Sequence, residues 1–191
     1  MCLRRLDQPC RAVAFPRHNP KRSRASVGAM GMNTPGRKFP RFEDEAAVLA
    51  VIEGFRARSL PFERWTHQAH LAVGLWHVRG FGEEPSKDLL RRGISTYNES
   101  VGVPNSDTRG YHETVTMYFV WAAARYLESP RPPALVDLVN DFVESPHGSK
   151  DGIFIFWSRD LLLSTPARRG WIEPDLRPLS VAALPAAEAV A

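Results

Sequence analysis

Cysteine is almost missing from this chain of 191 residues: there are two, Cys2 and Cys10. Everything from residue 42 onward lacks one. That excludes a disulfide framework and a thiol nucleophile from the bulk of the chain, and it accords with a reducing, cytoplasmic setting. Long apolar runs are absent too. No stretch of eighteen apolar residues occurs, which argues against a spanning helix. Acidic residues are scarce at one end only. Residues 1–41 carry ten Lys/Arg and a single acid, Asp7, whereas residues 42–191 carry fifteen Lys/Arg and twenty Asp/Glu. The net charge of +4 and the pI near 9.4 are therefore set by the first forty residues. The rest is mildly acidic, so no nucleic-acid partner is expected for it.

Sequence signatures of common chemistry are missing as well. There is no Gly-x-Gly-x-x-Gly after a strand, no Walker spacing, no Gly-x-Ser-x-Gly elbow and no His-Glu-x-x-His. The loop SPHGSKDG, residues 145–152, reads as a turn with His147 exposed, not as a phosphate cradle.

The basic leader, residues 1–41, has no apolar core of a secretory signal, and prolines at 9, 16, 20, 35 and 40 break any long amphipathic helix. Two readings are expected for it: a disordered basic tail, or upstream sequence read from a wrong start, with Met30 or Met32 the true first residue. Residues 42–180 form the expected folded domain, and the Ala-rich end, residues 181–191, is expected to fray.

Within 42–180 the patterns are helical. Residues 43–59 begin acidic and end in Arg, as the helix dipole favours. A second helix starts at Thr66, a good N-cap, and ends near Gly80. A third is predicted over 87–101 behind the N-cap candidate Ser86, and a strongly apolar fourth, residues 111–128, should be the centre of the fold. A short helix over 134–144 follows the rigid SPRPP connector. Residues 153–163, IFIFWSRDLLL, are too apolar for periodicity to separate helix from strand; with no partner strand, helix is preferred. A helical turn after Thr165–Pro166 closes the count. The expected fold class is all-α: a single compact helical bundle of five to six helices with a disordered basic leader.

What the chain does have is histidine, concentrated. Three of its six fall between His67 and His77. At about 100° per residue, His67, His70, Gly74 and His77 lie within roughly 80° of one another, one axial stripe beside the apolar arc. Gly74 inside a helix costs about 1 kcal/mol relative to Ala. Close approach of another helix or of a ligand is the usual compensation. The same projection of residues 111–128 puts His112 in the middle of the buried face, with Tyr111 and Glu113 on either side.

Two readings follow. In the first, His67, His70 and His112 bind a divalent transition metal (Zn, Fe or Mn) or a small polar molecule. Glu113 is then ligand or general base, and Tyr97, Asn98 and Tyr111 support them, in a metal-dependent enzyme. His77, about 10 Å along the helix from His70, cannot share that ion. In the second, the histidines are a hydrogen-bonded core network in a non-catalytic helical domain that binds a ligand or partner.

The segments FERWTHQAHLAVGLWHV, RRGISTYNESVGVPN, GYHETVTMYFVWAAAR and RRGWIEPDLRPL together resemble a family of small bacterial all-helical proteins with HxxH, YHET and C-terminal PDL-P-L motifs. The resemblance covers roughly residues 60–180. It implies a helical fold, a bacterial origin and a cytoplasmic setting, and assigns no activity and no catalytic residue.

Overall fold

Asp44 opens the first helix: its Oδ1 accepts the Ala47 N–H at 2.8 Å, and α1 runs Glu45–Ala57. The computed structural model describes residues 40–184, so the expectations for residues 1–39 and 185–191 lie outside it. Thr66 caps α2, His67–Phe81, by accepting the Ala69 N–H at 3.3 Å, as its sequence position predicts.

The next helix starts a full turn earlier than expected. α3 is Glu83–Ser100, and Gly82 (φ 83°) is both the C-cap of α2 and the N-cap of α3. Pro85 falls in the first turn, where a missing N–H has no intrahelical partner to lose. Ser86 is not the cap; its hydroxyl donates to the Gly82 carbonyl at 2.6 Å. α4 is Glu113–Leu127 and α5 is Leu135–Glu144.

Residues 153–163 are not one helix. A 3₁₀ stretch, Gly152–Ile155, gives way to the short α6, Arg159–Leu162, then α7, Thr165–Arg169, with Pro166 in its first turn. Ser158 breaks the run: its hydroxyl accepts the Leu161 N–H, and its own N–H is taken by Asp175 at 2.8 Å. Seven helices and no strand are therefore seen among the described residues, two of them barely more than a turn.

Two apolar clusters hold these elements. The larger includes Val48, Ile52 and Phe55 of α1, Leu71 and Leu75 of α2, Tyr97 of α3, Val120 and Tyr126 of α4, and Leu138 and Phe142 of α5. The smaller gathers Tyr118 on the other side of α4 with Ile153, Phe156, Trp157, Leu162 and Leu184. Trp157 is fully buried and donates its Nε1–H to the Ile172 carbonyl at 3.0 Å. The helix at the centre is α2, which packs against α1, α3, α4 and α5; α4 is shared between the two clusters. Among the described residues no helix is long and apolar enough to cross a membrane.

Candidate functional site: an apolar cavity with a histidine wall

Helices α2, α3 and α4 leave a cavity of about 320 Å³ between them. α2 supplies His67, His70, Leu71 and Gly74; α3 supplies Leu90 and Ile94; α4 closes it with residues that include Thr116 and Phe119. The expected compensation for Gly74 is thereby decided. No helix approaches it: a Cβ built there meets nothing within 4 Å. The glycine faces open space, and that space is the cavity.

Both cavity histidines are fixed by backbone carbonyls. His67 Nε2 lies 2.8 Å from the Gly148 oxygen, and His70 Nδ1 lies 2.7 Å from the Thr66 oxygen one turn back. A carbonyl only accepts, so these ring atoms carry the hydrogens. In the neutral rings, His67 Nδ1 and His70 Nε2 are then acceptors. His70 Nε2 has no hydrogen-bond partner among the described residues. Its ring is held against the Trp65 indole, centroids 3.9 Å apart. The Trp65 face is covered, while by surface area the residue as a whole is exposed.

Surrounding protein pushes the His70 imidazole down, although the residue keeps part of its surface in solvent and the Thr66 hydrogen bond opposes the shift; the neighbouring His67 and Lys150 lower it further. His67 is lowered as well, chiefly by burial and also by the Lys150 charge, with the Gly148 hydrogen bond opposing. At neutral pH both rings are uncharged.

Gly148, which receives His67, has no room for a side chain, since an added Cβ would overlap the Phe142 carbonyl. The loop 145–152 is thus drawn tightly across the end of α5. His147 is not the exposed turn residue expected of it. Both its ring nitrogens are buried without a hydrogen-bond partner, and the ring sits edge-on to Tyr126.

His112 stands elsewhere, and the helical projection misplaced it. It is the N-cap of α4, with extended backbone (φ −139°, ψ 110°), and lies outside the helix to which the projection applies. Its Nδ1 accepts the Val115 N–H at 3.4 Å and its Nε2–H donates to the Leu162 carbonyl at 2.9 Å, so both nitrogens are engaged. His77 is buried in the core, with Nδ1–H on the Val73 carbonyl at 2.7 Å.

Glu113 is occupied too. Arg91 grips it with two hydrogen bonds, Nε to Oε2 at 3.0 Å and Nη2 to Oε1 at 2.5 Å, and the Tyr111 hydroxyl donates to Oε2 at 2.7 Å. Burial opposes ionisation, but these hydrogen bonds and the Arg91 charge outweigh it and hold the carboxyl below its usual range. A carboxylate so engaged is a poor base and has little left for a metal. Arg91 thereby ties α3 to the start of α4 and also pairs with Asp88.

The remaining expected residues do structural work. Tyr97 is fully buried with its hydroxyl on the Leu60 carbonyl at 3.0 Å; Asn98 donates to Asn105 Oδ1 at 3.0 Å and braces the loop before α4. His67 and His70 therefore share one cavity, while His112, Glu113, Tyr111, Tyr97 and Asn98 are committed to other contacts. Among the described residues no group of three or more His, Cys, Asp or Glu side chains could hold a metal ion. The first reading's three-histidine metal set is not assembled. Sequence reasoning missed the cavity's apolar wall, although Gly74 on a stripe beside an apolar arc was its one available signal.

Neither a family model, nor a curated protein, nor a solved structure matches the chain.

Proposed function

We propose that this protein is a helical small-molecule-binding domain whose ligand occupies the cavity between α2, α3 and α4. Gly74 is the observation that carries the reading. A glycine in the middle of a fifteen-residue helix sacrifices about 1 kcal/mol of helix propensity, and here its lack of a side chain enlarges a cavity instead of admitting another helix. The cavity is at the small end of ligand pockets, apolar over most of its wall, with a few polar atoms at one place; this is the usual composition of a binding site. The expected small polar molecule gives way to one with an apolar body. Residues 42–191 lack cysteine, so a cytoplasmic setting remains part of the proposal. The resemblance through YHET and EPDLRPL assigns no activity, and the proposal rests on the cavity alone.

A fragment library screened by ligand-observed NMR against the wild type and Gly74→Leu tests it. The leucine side chain enters the cavity, so compounds that bind the wild type should lose binding to a variant at least as stable. If Gly74→Leu binds the same compounds equally, the cavity is not the site.

A further inference from the structure

The hydrogen bonds around the cavity decide more than its existence. Three polar groups face it: His67, His70 and Thr116. His67 and His70 have given their ring hydrogens to the Gly148 and Thr66 carbonyls, and the Thr116 hydroxyl donates to the His112 carbonyl at 2.8 Å. Each proton is used within the protein. What His70 has left for a guest is the lone pair of Nε2.

From this the geometry points to a ligand class, resting on the cavity being the binding site: a neutral molecule with an apolar body and one hydroxyl, a small alcohol or phenol, whose O–H donates to His70 Nε2. An anionic head would meet the His70 Nε2 lone pair. The charge of Lys150 near both histidines disfavours a cationic one, and its ammonium, on an exposed side chain, repays a carboxylate little. A purely apolar guest covering His70 Nε2 would leave it unpaired. At about 30 Å³ per water-sized atom, 320 Å³ accommodates about ten such atoms, a monocyclic aromatic or a short branched chain. His70 is also the best placed of the three for recognition: the Thr66 carbonyl and the Trp65 ring fix its orientation before any ligand arrives.

The test is a matched series of benzene derivatives titrated by protein-observed NMR at pH 7: toluene, anisole, phenol, benzylammonium and benzoate. They differ in the head alone. Phenol is expected to bind about three- to tenfold more tightly than toluene or anisole, the effect of one net hydrogen bond. His70→Phe keeps the ring against Trp65 and removes the acceptor, so the phenol advantage should vanish while toluene affinity changes less than twofold. Should toluene or anisole equal phenol, or either ion bind best, with Gly74→Leu abolishing all binding, the hydroxyl assignment is overturned and the cavity reading stands. If no member of the series binds, or Gly74→Leu binds all of them as the wild type does, both fall. If His70→Phe does not fold, the wild-type phenol-to-anisole ratio decides alone, and equality overturns the assignment.

Discussion

The two apolar clusters are built in opposite ways. The larger one is closed by long helices, whose backbones satisfy their own hydrogen bonds and whose side chains need only pack. The smaller one is closed by residues 152–184, where regular structure is limited to a few short turns. Its backbone must find partners one at a time: Ser158 N–H on Asp175, Ile172 N–H on the Thr114 hydroxyl, Leu176 N–H on the Phe156 carbonyl, and the Leu162 carbonyl under His112. Thr114 also donates to the Gly170 carbonyl at 2.9 Å. The YHET segment is thus largely a docking strip: Glu113, braced by the Tyr111 hydroxyl, holds Arg91, while His112 and Thr114 hold the C-terminal segment. Helix packing spreads its energy over many contacts; this second region concentrates it in a few.

The contrast can be broken at its most concentrated point. Trp157→Ala removes a fully buried indole and its hydrogen bond to Ile172, and should cost about 3–5 kcal/mol in chemical denaturation. Amide hydrogen exchange should then show residues 152–184 losing protection first while α1, α2 and α5 keep theirs. Uniform loss across both regions would mean they unfold as one unit.

A smaller effect tests the tie between α3 and α4. Glu113→Gln leaves Arg91 without its carboxylate in a half-buried position and should cost about 1–3 kcal/mol. An unchanged denaturation midpoint would show that solvent replaces the pair.

The His112 bridge should respond to acid. Burial lowers its pKa below the ordinary His value, as it does for His67, His77 and His147. The unfolded chain therefore takes up protons that the folded one refuses once the pH falls below about 6.5. Stability should be full above that point and decline steadily below it. Protonating Nδ1 also removes the acceptor that caps α4. His112→Ala should cost about 1–2 kcal/mol at pH 7, the value of a lost cap, and flatten the pH slope. A slope identical to the wild type's would assign the acid sensitivity to other groups.

The smallest change has the opposite sign. With nothing within 4 Å of its added methyl, Gly74→Ala should stabilise the fold by up to about 1 kcal/mol. A lower melting temperature would contradict the open space described for that position.

Legibility from sequence follows the same division. Helices α2, α4 and α5 were predicted to within two residues, because periodicity, Thr66 and the SPRPP connector are local signals. Of residues 152–184 only the turn after Thr165–Pro166 was legible, as α7; the rest was not, since its order comes from hydrogen bonds to Thr114 and Asp175 that no periodicity marks. His112 shows a subtler failure. A helical projection is valid only inside a helix, and one residue beyond its end an extended backbone sends the side chain elsewhere. The same projection found the His67–His70–Gly74 stripe, because all three lie within α2. It gives direction and not distance, so it could not say that the space beside the stripe is empty, nor that Arg91 reaches Glu113.

The single residue between α2 and α3 has a mechanical consequence. With Gly82 serving both helix ends at φ 83°, two of the three cavity walls meet at an elbow that has almost no slack. Widening the gap between them would mean unwinding a helix end. On its other side α2 is tied to the loop 145–152 by the His67–Gly148 hydrogen bond. The short elbow couples the two helix ends, so fraying of one would disturb the other.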